Sequence, residues 1–308
     1  VITVLAGGVG AARLLRGLVR VVDPRDVAVV ANVADDLVLH GLNISPDLDT
    51  VTYTLGGGDN AETGWGLAGE TWQAMDALDR YGGPTWFRLG DRDLATHLHR
   101  TGRLAEGAGL AQVTAEIAAA WEIGVRLLPA TEDRLRTMVT LGDGTEVGFQ
   151  EYFVGMRHDV PVAAIRFDGA ASARPGPGVL EAITDAETVV IAPSNPLVSV
   201  DPILAVPGVS EAVADRRSST VAVSPIVGGA ALKGPADRML AELGHESSAV
   251  GVARHYRDLV GTMVIDVVDA DLAPEVEAGG VRCVVTDTVM HTPEVAAALA
   301  KVTLEAIA

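Results

Sequence analysis

Short β-branched runs with helical patterns between them, broken by a change of pattern mid-chain, predict an α/β fold. It is a doubly wound, mainly parallel, Rossmann-like sheet with a largely helical insertion plus a β-hairpin. The runs fall at residues 1–5, 27–31, 188–192, 220–223, 263–267 and 282–285. Most are apolar throughout rather than alternating, the pattern of strands buried on both faces by covering helices. Helical patterns at 11–21, 179–183, 235–243 and 293–307 supply those covers.

Between residues 62 and 168 the pattern changes. Candidate helices at 70–81, 91–101 and 110–121 precede a hairpin at 138–149, whose turn is Gly142-Asp143-Gly144. The expected division is therefore a nucleotide-binding core, 1–61 and 169–308, interrupted by an inserted unit, 62–168. The Gly/Pro-rich ARPGPG at 173–178 reads as the return linker, and no internal repeat is visible.

Composition narrows the function. The chain has 308 residues, 48% of them hydrophobic, enough for a large core. A formal charge of -18, from 41 acidic and 23 basic side chains, argues against a nonspecific nucleic-acid or anionic-membrane surface. An anion can still be bound through backbone N–H groups, a few placed arginines or a metal ion. Cys283 is the single cysteine and lies in the apolar run VRCVV, where a buried core thiol is expected. The chain opens on a strand without a basic n-region, and no apolar run reaches transmembrane length, so a cytoplasmic setting is expected.

Three loops follow predicted strands. Gly7, Gly8 and Gly10 form GGVG after the first, where a helix N-terminus offers free N–H groups to a phosphate. Arg13 occupies the place of a third dinucleotide-type glycine and no G-K-[ST] follows, so neither a full dinucleotide fingerprint nor a P-loop is present. Ser194, Asn195 and Pro196 follow the strand at 188–192, and Ser224 and Pro225 follow that at 220–223. In an open parallel sheet such loops converge outside the carboxyl ends of the strands.

Residues 31–50, ANVADDLVLHGLNISPDLDT, place Asp35, Asp36, Asp47 and Asp49 in two tight pairs after the second strand. Two carboxylates ~5 Å apart repel by about 3 kcal/mol at an effective dielectric of ~20, so the cluster needs a cation, wide spacing or solvent. Ser45 and Pro46 read as N-cap and first residue of a helix whose inward face is Leu48, Val51 and Leu55. Mg2+ takes one or two carboxylates and completes its shell with water and phosphates. One aspartate from each pair, Asp35 and Asp49, is the expected metal set, with Asp36 and Asp47 in support.

The third constellation is RLGDRDLATH at 88–97, where Arg88 and Arg92 stand within reach of a ligand across the crevice. His97 and His99 lack an H-E-x-x-H context, which argues against zinc. There is no G-x-S-x-G elbow and no Cys-His pattern of nucleophilic catalysis.

Taken in order, GGVG, NVADD, PDLDT, LGDRDLATH, APSNP and SPIVGG resemble the 2-phospho-L-lactate transferase family of deazaflavin coenzyme F-420 biosynthesis. The resemblance spans essentially the whole chain; Ala11 departs from it where many relatives carry glycine. It implies transfer of a phospho-C3-acid, 2-phospholactate or phosphoenolpyruvate, from a guanosine-diphosphate-linked donor to the ribityl hydroxyl of the deazaflavin Fo. GMP leaves, Mg2+ is required, and a homodimer is expected. It also implies Asp49 and Arg88 at Fo, within an acceptor site to which the inserted unit contributes, and Gly7, Gly8, Gly10, Ser194, Asn195, Pro196, Ser224 and Pro225 around the donor. Asp49 or Asp47 is expected to orient or deprotonate the acceptor hydroxyl. Asp49→Ala is expected to abolish most turnover and leave the fold intact. The Arg- and Ala-rich composition leans toward an actinobacterial source and the enolpyruvyl donor.

Two rivals remain at this point. A nucleotide- or nucleotide-sugar-binding regulator of the gluconeogenesis-factor type resembles the chain at the glycine loop and the first Asp pair, but the long insertion speaks against it. A dinucleotide-dependent oxidoreductase is weakened by the broken glycine fingerprint.

Overall fold

The computed structural model describes residues 1–62 and 64–307. Its strands are β1 (Ile2–Ala6), β2 (Val27–Ala31), β3 (Leu37–Leu39), β4 (Leu42–Ile44), β5 (Arg126–Pro129), β6 (Arg136–Leu141), β7 (Glu146–Gly148), β8 (Val162–Asp168), β9 (Thr188–Ile191), β10 (Thr220–Val223), β11 (Ile226–Val227), β12 (Ala230–Ala231), β13 (Thr262–Asp266) and β14 (Arg282–Thr286). Its α-helices are α1 (Gly8–Leu18), α2 (Pro46–Leu55), α3 (Gln73–Asp79), α4 (Asp93–Ala105), α5 (Leu110–Ala120), α6 (Val179–Thr184), α7 (Asp201–Leu204), α8 (Val209–Asp215), α9 (Ala236–Glu242), α10 (Ala249–Tyr256), α11 (Ala273–Ala278) and α12 (Pro293–Glu305).

Seven strands make one parallel sheet in the order β14-β13-β10-β9-β1-β2-β5. From β1 the chain steps outward through β2 to β5; it then returns to β9 and steps the other way through β10, β13 and β14. The boundary between β1 and β9 is therefore the switch point of the topology, where open α/β sheets hold their ligands.

Alternate residues of the same strands feed two cores. Leu5, Val30 and Ile191 pack with Ile183, Val213 and Met239 on one face. Val4, Val29 and Val190 pack with Leu14 and Leu15 of α1, Leu48 and Val51 of α2, and Leu299 of α12 on the other. Helix α12 lies so close to α1 that a methyl at Gly17 would stand 2.2 Å from the Ala296 carbonyl. Only glycine allows that approach.

Each of the six expected strands is present to within a residue at either end. The middle departs from expectation. β5 lies inside 62–168 yet pairs with β2 at the sheet edge, so this segment is not wholly outside the main sheet. RLLP is short and ends in proline, which a strand tolerates at an edge, and so carries little signal. The hairpin is β6 and β7, joined by β8 into a three-stranded antiparallel sheet. β3 and β4 form a further hairpin through His40 and Gly41, both at positive φ (53° and 77°) as a type I′ turn requires. A small core of Leu39, Ile44, Met75 and Leu89 binds this hairpin to α3 and the start of α4. Cys283, expected in the core, is only part-buried because β14 is an edge strand. Among the described residues no single helix is long and apolar enough to cross a membrane.

Candidate active site

A cleft of about 800 Å3 opens at the switch point. It is floored by the loops after β1, β9 and β10, and walled by α2, the start of α4 and the segment around Phe149. The GGVG glycines are the beginning of α1 rather than a loop before it. Gly10 lies against the β9 loop, where a methyl would sit 2.1 Å from the Pro193 carbonyl oxygen. Ser194 Oγ donates to the Gly7 carbonyl at 2.7 Å and accepts from the Gly7 N–H at 3.4 Å. The Gly8 N–H is given to Asp47 Oδ1 at 2.8 Å.

Much of the polar equipment expected to hold a ligand thus braces the loops against each other. Asn195 accepts from the Leu197 N–H, and Ser224 Oγ is spent on the Ile226 backbone. Pro196 is buried beneath the cleft, whereas Asn195, Ser224 and Pro225 line it. What remains for an anion is the rest of the start of α1, whose N-cap residue Gly7 supplies no side-chain cap and whose Gly8 N–H is already held by Asp47.

The aspartates are gathered by Asn32, a buried residue that the sequence reading overlooked. Its amide donates to Asp35 Oδ2 at 3.1 Å and Asp47 Oδ2 at 3.0 Å, while its own oxygen accepts from the Ala34 N–H at 2.9 Å. Asp35 and Asp47 are 6% and 7% exposed. Burial, then the charge of Asp47, pushes the Asp35 carboxyl well above its usual range, and burial pushes Asp47 up to about 6. Asp35 Oδ1 is buried with no hydrogen-bond partner among the described residues. Burial also raises Asp36, against which Ser45 Oγ donates at 2.6 Å instead of capping α2. Two inward carboxyls facing one spare buried oxygen fit a hard cation.

Asp49 is differently placed. Arg100, 2% exposed on α4, grips it with two guanidinium nitrogens, one at 3.1 Å from Oδ2. His97 Nδ1 lies 3.7 Å from the same oxygen, and its Nε2 lies 3.1 Å from Asp93 Oδ2. The hydroxyl of Tyr53 donates to Asp93 Oδ1 at 2.5 Å. Burial works against the Asp93 anion, but the His97 and Tyr53 bonds outweigh it and hold this carboxyl below its ordinary value. Asp49, Asp93 and His97 also offer ligand atoms within 4.8 Å of one another. Asp93, His97 and Arg100 stand at i, i+4 and i+7 of α4, one inward stripe; the sequence reading stopped at His97.

Arg88 lines the cleft, with its guanidinium 2.8 Å from Asp76 and over the Trp72 ring at 5.0 Å. Arg92 instead turns away, bonded to the Ala68 carbonyl at 2.6 Å. His99 pairs with Glu116 at 3.4 Å, so the two histidines serve different surroundings. Aromatic and apolar side chains, among them Trp65, Phe87, Phe149 and Phe153, complete a wall suited to a planar ring.

Residues 2–303 match the family model described as 2-phospho-L-lactate transferase CofD. A phosphoenolpyruvate transferase of Streptomyces griseus is 49% identical over 309 residues, covering 99% of this chain and 97% of the relative. One from Streptomyces coelicolor is 48% identical over 97% of this chain and 96% of the relative. One from Mycolicibacterium smegmatis is 40% identical over 99% and 98%. A crystal structure of a UPF0052-family protein from Bacillus halodurans superposes with a TM-score of 0.62 at 19% identity, covering 98% of both chains, a likeness of fold.

Proposed function

The chain belongs to the 2-phospho-L-lactate transferase CofD family, and we propose that it acts as a phosphoenolpyruvate transferase of coenzyme F-420 biosynthesis. It moves phosphoenolpyruvate from a guanosine-diphosphate-linked donor to the ribityl hydroxyl of Fo and releases GMP. Its similarity to phosphoenolpyruvate transferases favours the enolpyruvyl donor. The observation that carries the chemistry is the meeting, in one cleft, of a glycine helix start, whose first N–H alone is taken by Asp47, with a buried carboxylate cluster. One suits a diphosphate and the other the cation that accompanies it.

In this reading the hydroxyl oxygen of Fo attacks the distal phosphorus in line. A new P–O bond forms as the bond to the GMP phosphate breaks, and the electron pair leaves with GMP. Asp49, held still by Arg100, orients the hydroxyl, with Arg88 at the rim beside the acceptor. Asp47 takes the proton, since a carboxyl near 6 is matched to that task at neutral pH. Asp35 and Asp49, the latter sharing its oxygens with Arg100, would hold Mg2+, which when bound would offset phosphate charge. Asp47 at the same time pins Gly8, so the acceptor and donor sides of the cleft share one carboxylate.

The test is incubation with Mg2+, Fo and each of the two donors, enolpyruvyl and lactyl. GMP release with an acidified deazaflavin product, faster with the enolpyruvyl donor, is expected. Binding of the donor without turnover would overturn the reading in favour of a regulatory protein. A homodimer belongs to the same reading and is checked by sedimentation.

A further inference from the structure

Arg13 is on α1 one turn beyond the glycines and lines the cleft. It makes no ion pair among the described residues, although most other arginines of this acidic chain do. Lys233, one of two lysines in the sequence, lies on the opposite wall after β12 and lines the same cleft. The two side chains reach one point. A methyl at Gly64 would lie 2.8 Å from Lys233 Nζ and 3.5 Å from Arg13 Nη2. Burial, then the charge of Arg13, lowers the Lys233 ammonium below its ordinary value. A chain of net charge -18 has thus turned two cations toward each other, beside a helix start that also favours an anion.

Like charges held together repel unless an anion sits between them. We propose that Arg13 and Lys233 form a clamp that grips the diphosphate of the donor from both walls of the cleft. This rests on the transferase reading for the identity of the anion, not for its charge. Neither residue belongs to a phosphate-binding motif visible in the sequence, and only the fold brings together two positions so far apart in the chain. Arg13 fills the position of the missing third glycine, so the residue that breaks the dinucleotide fingerprint is the one that supplies the charge. In the transfer, the P–O bond to GMP breaks with its electron pair going to the GMP phosphate oxygen. The clamp holds that growing charge while the acceptor oxygen bonds to the other phosphorus. Arg and Lys divide the work, one a flat fork and the other a point charge.

The experiment compares wild type with R13M, K233M and K233R. It measures donor and acceptor kinetics together with calorimetric binding of GDP, inorganic pyrophosphate and Fo. K233M and R13M are expected to weaken GDP and pyrophosphate by ~10- to 100-fold, the loss of one charge-assisted contact each. Fo affinity should stay within about twofold, and K233R should recover most of the loss, as retention of a cation requires. Unchanged GDP and pyrophosphate affinity in both Met variants of a protein that turns over would overturn the clamp and leave the transferase intact. A wild type that binds pyrophosphate through Lys233 but turns over neither donor would support the clamp and overturn the transferase.

Discussion

Replacing Asp47 by asparagine should reverse the order of stability of the two proteins between pH 3 and 7.5. In the metal-free protein burial raises this carboxyl from 3.8 to about 6. Over that interval the folded state still holds a proton that the unfolded chain has released. Stability therefore falls as pH rises, with a slope of ~1.4 kcal/mol per unit, and the full loss is present above pH ~6. About two units amount to ~3 kcal/mol. The asparagine of D47N does not titrate, so that loss disappears. Its amide nitrogen meets the Asn32 amide where a carboxylate oxygen accepted a bond, at a cost of ~1 kcal/mol. D47N should then be about 1 kcal/mol less stable than wild type at pH 3, about equally stable near pH 4.5 and about 2 kcal/mol more stable at pH 7.5. Urea denaturation in a chelator at pH steps of half a unit measures both. Saturating Mg2+ should narrow the gap at pH 7.5, because a bound cation would offset the cost of burying the ionised carboxylate. Parallel stability profiles for the two proteins would refute the buried-carboxylate argument.

The pair formed by Asp49 and Arg100 changes what an alanine scan reports. Asp49→Ala leaves a buried guanidinium alone and should cost ~3–5 kcal/mol of stability, so the sequence-level expectation of an intact fold is withdrawn. Asp49→Asn keeps the shape and should lower kcat by at least ~100-fold with a smaller change in unfolding midpoint; near-normal turnover would remove Asp49 from the acceptor site. Gly10→Ala drives a methyl into the Pro193 carbonyl and should destabilise by ~1–3 kcal/mol while raising donor KM, read by thermal unfolding and kinetics. Arg88→Ala, whose side chain is 48% exposed, should shift stability by less than ~0.5 kcal/mol and raise acceptor KM alone.

Most of the main sheet was legible because its strands are buried on both faces and read as unbroken Val, Ile and Ala runs. β5 was not, for Arg126–Pro129 has four residues and a proline end. The convergence of the three loops followed from strand-end logic, yet their hydroxyls proved to serve nearby backbone. That distinction needs distances, since serine beside glycine looks the same whether it holds a phosphate or a neighbouring carbonyl. The aspartates were visible as a cluster, but of the residues that divide them Asn32 stands in the same loop with no pattern to mark it, and Arg100 comes from another helix. The stripe Asp93, His97, Arg100 was present in the sequence as a helical period and carried the missing half of the signal. Arg13 and Lys233 carried none, because nothing local links positions so far apart.

The close seat of α12 on α1 at Gly17 sets an order in time as well as in space. The glycine start of α1 leaves a ribosome long before the helix that covers its outer face. At ~5–20 residues per second the two are separated by roughly 15 seconds to a minute of synthesis. Throughout that interval the Leu14, Leu15 and Leu18 face of α1 can pack against α2 and the sheet but lacks its second helical partner. Two helices born far apart in time then complete one packed layer together.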